Sequence, residues 1–210
     1  MQGPAGEDGE GVPAGGTAGQ VLAKIDGTDF NTEWVDQGGP VYAVGDPYPA
    51  GGPQEGIVFW VDATGQHGLV AQETNVPNPM SMPADTFSWG TGPGGADGYR
   101  GTQADGIGIG QANTAAILAN PPLPATFPAA DACNDQGNGW YLPSKTEISL
   151  LYQQRDTIGG LPAQPDRYWS STEQSGMAQS ELAWQQNTSS GEQQPGNKVE
   201  PLHVRCIKAF

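Results

Sequence analysis

Few side chains in this 210-residue chain are spaced for covalent chemistry. Its two cysteines, Cys133 and Cys206, lie far apart. Two thiols alone cannot complete a tetrahedral zinc site, so they form either one long-range disulfide or two buried thiols. The two histidines, His67 and His203, have no adjacent nucleophile or carboxylate motif, and general-base work is not expected of them. The glycines of "GIGIGQ", residues 106–111, imitate a phosphate loop but lack the preceding strand that such a loop needs. Asp85, Asp97 and Asp105 are scattered through a stretch rich in Gly and Pro and read as solvated loop carboxylates. No catalytic residue, metal ligand or cofactor is therefore expected.

The chemistry that the residues do favour is non-covalent recognition, between "YWSSTE" and "VRCIKAF". Gln174, Ser175, Gln179, Ser180, Gln185, Gln186 and Asn187 begin a polar, mostly uncharged set that continues with Ser189, Ser190, Glu192, Gln194 and Asn197. Trp169, Ala183-Trp184 and Gly191 interrupt it as anchors. Rigid aromatics with adaptable Ser, Asn and Gln neighbours recognise a partner without a fixed charge pattern. These residues are the candidate ligand-binding surface.

Charge narrows the partner. The formal net charge is −15, and residues 1–135 hold 16 acidic and 2 basic side chains against 7 and 6 in residues 136–210. An acidic front half repels phosphate backbones and anionic lipid, so neither nucleic acid nor a membrane surface is an expected partner. No run is long and apolar enough to span a bilayer, so membrane insertion is not expected. "MQGPAGEDGEG" has neither a basic n-region nor an apolar h-region, so no secretory signal is expected there.

The elements that must position the polar set are short. With 32 Gly and 19 Pro, the chain suits a loop-heavy α+β fold rather than a helical bundle. Gly3, Gly6 and Gly9 keep a collagen-like period of three, too brief for a stable triple helix. "QVLAKID" and "NTEWVD" read as a small hairpin, which cannot bury a core alone and calls for partner chains. Residues 36–53 read as a linker. "GIVFWV" and "LVAQ" read as a hairpin around "DATGQHG", and residues 75–108 as long surface loops. "QANTAAILAN" reads as a helix stopped at Asn120-Pro121-Pro122, and Pro128 as the first turn of another. Ser144 and Glu147 make an S-x-x-E capping box, followed by an apolar stripe at Ile148, Leu151 and Tyr152, with Gly159-Gly160 as the stop. "RYWSSTE", "ELAWQQN" and "HVRCIKAF" read as strands.

The order of "GIVFWVDATGQHGLVAQ", "GIGIGQANTAAILA", "DACNDQGNGWYLPSKTEISLLY", "YWSSTE" and "VRCIKAF" resembles Lcl-type C-terminal domains, over roughly residues 54–210. These are C-type lectin-like domains of phage tail fibres, collagen-like bacterial adhesins and retroelement-diversified binding proteins. "GGTAGQVLAKIDGTDFNTEWV" is similar to a segment common in phage tail fibres. The resemblance implies a C-type lectin-like fold, with two helices flanking a twisted antiparallel sheet and termini close together. It also implies a Cys133–Cys206 disulfide. Residues 1–45 would be a collagen-like and β trimerising stalk segment, and residues 46–210 the binding domain.

The implied function is the non-enzymatic, receptor-binding tip of a homotrimeric phage tail fibre, located on the virion or otherwise extracellular. Its partner would be a host cell-surface receptor, protein or glycan. A collagen-like adhesin, a diversified ligand-binding protein and a lectin-fold enzyme are the alternatives. The "QPD" triplet, Gln164 to Asp166, matches a calcium-holding motif of sugar-binding C-type lectins, but the W-N-D that completes it there is missing downstream. The many Gln and Glu in the candidate surface also depart from adenine-directed diversification, which does not produce them.

Overall fold

The structure, a computed structural model, describes residues 16–17, 20–28, 31–36, 38–91, 99–119, 126–161, 167–175 and 181–210. Gly3, Gly6, Gly9, Asp97, the Asn120-Pro121-Pro122 stop, Gln179, Ser180 and the 164–166 triplet lie outside these residues. The chain divides into two compact units between Val41 and Tyr42.

In the first unit, β1 (Gln20–Lys24) pairs antiparallel with β2 (Thr32–Asp36), and Leu22 sits opposite Trp34. Asp26 organises the loop by accepting the Thr28 N–H at 2.8 Å, which holds its carboxyl below the usual range. Val21, Leu22 and Ile25 are exposed, as expected of a two-stranded sheet with no further strand or helix among the described residues of its unit.

The second unit is mixed α+β. Its elements are, in order, β3 (Pro47–Tyr48), β4 (Gly56–Val61), β5 (Gly68–Ala71), β6 (Thr86–Phe87), α1 (Ile109–Leu118), α2 (Pro128–Asn134), α3 (Lys145–Gln153), α4 (Arg155–Ile158), β7 (Arg167–Glu173), β8 (Leu182–Asn187), β9 (Gln193–Asn197), β10 (Leu202–His203) and β11 (Ile207–Ala209). One sheet has the order β11-β5-β4-β3 and the other β6-β10-β7-β8-β9. Neighbouring strands are antiparallel except β10 and β7.

The β4–β5 hairpin forms where its apolar runs predict it. Its turn is held by Asp62, whose Oδ1 accepts Thr64 Oγ1 at 2.6 Å and the N–H groups of Thr64 and Gly65 at 2.9 Å. The Thr64 hydroxyl leads the groups that hold the Asp62 carboxyl down at about 2. Strand alternation sends the consecutive residues Val58 and Phe59 into two separate core clusters, and the pairing with β5 shifts register between Val58 and Trp60. Gly56 is required here, because a Cβ would stand 2.2 Å from the Ala71 carbonyl oxygen of β5.

Residues 36–53 are more than a linker. Tyr42 is buried, packs edge-on against Phe210 at 4.8 Å, and its phenol oxygen accepts the Ala50 N–H at 2.9 Å. Tyr48 stacks on the same Phe210 ring at 4.9 Å, so both ends of this unit meet in one cluster. Residues 75–108 are likewise not only surface loop. Val76 and Trp89 are buried, and the Trp89 indole donates to the Ser170 carbonyl at 2.8 Å while meeting Phe127 edge-to-face. Single apolar anchors without period carry no secondary-structure signal, yet each fills a place in the core.

The helices begin where their caps predict. Pro128 opens α2, and Ser144 caps α3 in a complete capping box. Ile148 and Leu151 are buried from the apolar stripe, while Tyr152 is half-buried. The helical run breaks at Gln154, continues as α4, and ends at Gly159. Cys133 on α2 is bonded to Cys206 just before β11, across 73 residues, with both cysteines fully buried.

Candidate functional site

The candidate surface belongs to β7, β8, β9 and their connections, so its outward groups depend on what holds those strands. Glu173, at the end of β7, is fully buried and meets the equally buried Lys198 ammonium at 2.5 Å. Its two carboxylate oxygens also accept the Arg100 N–H at 2.9 and 3.0 Å and the Thr102 N–H at 2.9 Å. Lys198 lies 4.3 Å from the centre of the Trp89 ring. Burial pulls the Lys198 ammonium below its usual range, and the Glu173 carboxylate opposes that shift. This cluster ties residues 99–102 and the end of β9 to β7.

A second buried carboxylate positions α3 and α1. Besides closing the capping box at 2.7 Å, Glu147 accepts the Gly108 N–H at 2.8 Å and faces the Tyr141 hydroxyl at 3.4 Å. Burial pushes the Glu147 carboxyl up against the pull of the Ser144 and Gly108 amides. Burial, and then the Glu147 charge, push the Tyr141 phenol up. A Cβ on Gly110 would stand 2.3 Å from Glu147 Oε2. The glycines of "GIGIGQ" therefore let α1 approach a carboxylate of the protein itself.

The predicted surface residues divide into four groups. Trp169, Gln185 and Gln186 are interior and cannot touch a partner directly: Trp169 is 0% exposed and each glutamine 1%. The Trp169 indole donates to the Phe87 carbonyl at 2.9 Å, and Gln186 Nε2 to the Asn187 carbonyl at 3.1 Å. Gln185 lies against Gly196, where a Cβ would come within 2.3 Å of its Nε2. The reason is that the sheet is covered on both faces. Tyr168 packs with Ile148 and Leu151 in one core cluster, whereas Trp169 packs with Trp89 and Ala183 in the other. Alternation along β8 consequently sends side chains to two interiors.

At the β8–β9 turn, Asn187 accepts the Ser189 and Ser190 N–H groups through Oδ1 at 2.8 and 3.0 Å, and its carbonyl accepts the Gly191 N–H at 3.0 Å. Gly191, with φ 76°, brings the turn against Tyr152, and Ser189, Ser190 and Glu192 are exposed. At the other end of the strands, Gln174 is half-buried while Ser175 and Asn197 are exposed. Leu182 and Asn187 are five steps apart on β8, so the two ends are separated by about 17 Å. Between them, Gln194 is exposed and Trp184 is half-buried beneath Lys145, whose ammonium lies 3.4 Å from the ring centre.

Seven Lys and Arg residues occur from Tyr42 to Phe210, and each is engaged internally. Arg100 donates to the Ile117 carbonyl at 3.0 Å, Lys145 covers Trp184, and Arg155 covers Tyr152 at 4.5 Å. Arg167 pairs with Glu200 at 3.0 Å, Lys198 with Glu173, and Lys208 with Glu55. Arg205 is fully buried and donates to Asn75 Oδ1 at 2.8 Å and the Gln72 carbonyl at 2.9 Å. Six of these cations hold the frame and Lys145 lies over Trp184 of the candidate surface, with neutral and acidic groups exposed around it. Sequence reasoning missed Glu173, Lys198 and Arg205 as structural residues; the scarcity of cations in an acidic chain was the available signal.

His67 is exposed beside Asp62 at 3.1 Å, and His203 Nδ1 lies 2.9 Å from the Asp85 carbonyl. Among the described residues no group of three or more His, Cys, Asp or Glu is placed to hold a metal ion. No helix among them is long and apolar enough to cross a membrane. Clefts of about 250 and 260 Å³ lie elsewhere, one beside Glu55, Glu73 and Asn75, the other between α1 and residues 134–141. The chain matches no protein-family model and no curated protein sequence.

Proposed function

We propose that residues 42–210 form a C-type lectin-like, non-enzymatic recognition head, and that the whole chain is the receptor-binding tip of a trimeric phage tail fibre. The observation that carries the reading is the division of polar groups. Each of the seven cations of the head has an internal partner, with Lys145 lying over Trp184, while Asn187, Ser189, Ser190, Gln194, Ser175 and Asn197 present small neutral groups on or beside the β8–β9 hairpin. A surface of this kind recognises by shape and adaptable hydrogen bonds, and it disfavours a polyanionic receptor. The uncovered apolar residues of the β1–β2 hairpin support assembly with copies of the same segment. Three such heads on one stalk would gain avidity through effective concentration.

The test is adsorption of the labelled protein to bacterial cells, with the variants Ser189→Arg, Ser190→Arg and Trp184→Ala. Loss of adsorption with unchanged melting temperature and oligomeric mass is expected for the two serine variants. Undiminished adsorption in both would overturn the assignment of the hairpin surface. Light scattering tests the stalk separately: a monomer at all concentrations would refute trimeric assembly.

A further inference from the structure

The buried pair at the end of β7, opposite the β8–β9 turn, is held by more groups than an ion pair requires. Lys198 Nζ reaches Glu173 Oε1 at 2.5 Å, and neither side chain exceeds 1% exposure. The other oxygen, Oε2, is gripped separately. It accepts the Thr102 N–H at 2.9 Å, the Arg100 N–H at 3.0 Å and the Thr102 hydroxyl at 3.2 Å. Thr102 is itself buried, and the buried Trp89 ring stands 4.3 Å from Nζ. Two backbone amides and a hydroxyl converging on one carboxyl oxygen are a preorganised cradle for negative charge on that atom.

Two opposite charges in such a place are costly, because both have lost their hydration. Burial draws the ammonium below its usual range, toward the neutral amine that can act as a nucleophile. In water an ammonium and a carboxylate are favoured over the amide they could form, in large part because the ions are hydrated. The interior removes that advantage, and an amide carries no net charge to desolvate.

We propose that Lys198 and Glu173 join in an isopeptide bond, Nζ to Cδ, made by the folded protein itself with loss of one water. One proton passes from the ammonium to Oε1, leaving a neutral amine beside a neutral carboxyl. The contact at 2.5 Å holds the amine next to Cδ, which it attacks. The charge that develops on Oε2 falls on the cradle of Arg100 and Thr102. A second proton moves from Nζ to Oε1, the Cδ–Oε1 bond breaks, and water leaves. Nζ keeps its last hydrogen as the amide N–H, and nothing is oxidised or reduced. The bond closes a ring across a separation of 25 residues that contains all of β8, β9 and the turn between them. It ties off the hairpin whatever the hairpin binds, so the inference goes beyond the receptor-tip reading and does not depend on it.

The experiment is mass spectrometry of the full chain, incubated folded and then denatured and reduced. The intact mass should fall short of the sequence mass by one water. Trypsin localises the loss, because residues 168–197 contain no Lys or Arg and the next site after Lys198 is Arg205. A chain without the bond releases residues 168–198. A chain with it resists cleavage at Lys198 and releases residues 168–205 less one water. Protein kept in urea throughout should give only residues 168–198, and Lys198→Arg should restore both the full mass and the cut at that position. Thr102→Val, which removes only the hydroxyl of the cradle, should slow formation about fivefold, the loss of one hydrogen bond. Full mass in the folded parent after prolonged incubation would overturn the proposal and leave an ion pair only. A missing water that persists in Lys198→Arg would overturn it equally. Cell adsorption plays no part in this readout, so its failure is distinguishable from failure of the hairpin assignment.

Discussion

The buried cluster around Glu173 and the β8–β9 turn around Asn187 stand at opposite ends of the same strands, and both are built from polar side chains. Glu173 turns its oxygens inward to Lys198 and to the amides of Arg100 and Thr102, all within the protein. Asn187 uses its Oδ1 only to shape the turn, and the neighbouring Ser189, Ser190 and Glu192 face solvent. Polarity therefore does not distinguish frame from surface in this molecule; the number of internal partners does. A substitution at the first end should change stability, and one at the second should change binding.

The largest effect expected from that contrast comes from breaking the buried ion pair on one side. Glu173→Ala or Lys198→Ala should each cost about 3–5 kcal/mol in chemical denaturation, because an unpaired charge is left in the interior. The double variant Glu173→Met/Lys198→Met should cost less than the sum. A Glu173→Ala protein as stable as the parent would show that this end is as solvated as the turn.

Next comes the covalent part of the frame. Cys133→Ala/Cys206→Ala opens a link across 73 residues and should lower stability by about 2–4 kcal/mol. The parent should lose a similar amount in reductant, measured by denaturant midpoint, and the double variant should lose nothing further.

A smaller, pH-dependent effect belongs to Asp62. Its folded pKa of about 2 lies below the ordinary value of 3.8, chiefly because of the Thr64 hydroxyl. The stabilisation is thus present in full above pH 3.8 and is lost as pH falls toward 2. The melting-temperature gap between the parent and Asp62→Asn should narrow over that window, and a constant gap would remove the carboxylate from the account.

The smallest effect is expected at Gln185, whose buried Oε1 has no hydrogen-bond partner among the described residues. Gln185→Met should change stability by less than about 1 kcal/mol, in either direction, since it also removes the desolvation penalty of that oxygen. Adsorption should be untouched, which would separate this interior glutamine from its exposed relative Gln194.

Local order was legible wherever its cause was local. The Ser144–Glu147 box, Pro128 at a helix start and the 56–71 hairpin all rest on neighbours within a few residues, and the structure contains each of them. β9 was not legible, because Gln193-Gln194-Pro195-Gly196-Asn197 has no apolar alternation and becomes a strand only by pairing with β8. Tyr42 and Trp89 were assigned to linker and loop for the same reason: each is a lone anchor whose partner, Phe210 or Phe127, lies far along the chain. The Cys133–Cys206 link followed from the family resemblance and not from spacing.

Of the candidate surface, residue type alone identified the region but not the side. Composition and charge determine that this chain offers neutral, adaptable polar groups in an acidic setting, because those are properties of the residues themselves. Which of them reach solvent was decided by tertiary structure. Packing on both faces of β7 and β8 draws Trp169, Gln185 and Gln186 inward, while the turn leaves Ser189 and Ser190 outside. A strand's alternation says that two neighbours point in opposite directions, and only the layers above and below determine whether either direction is water.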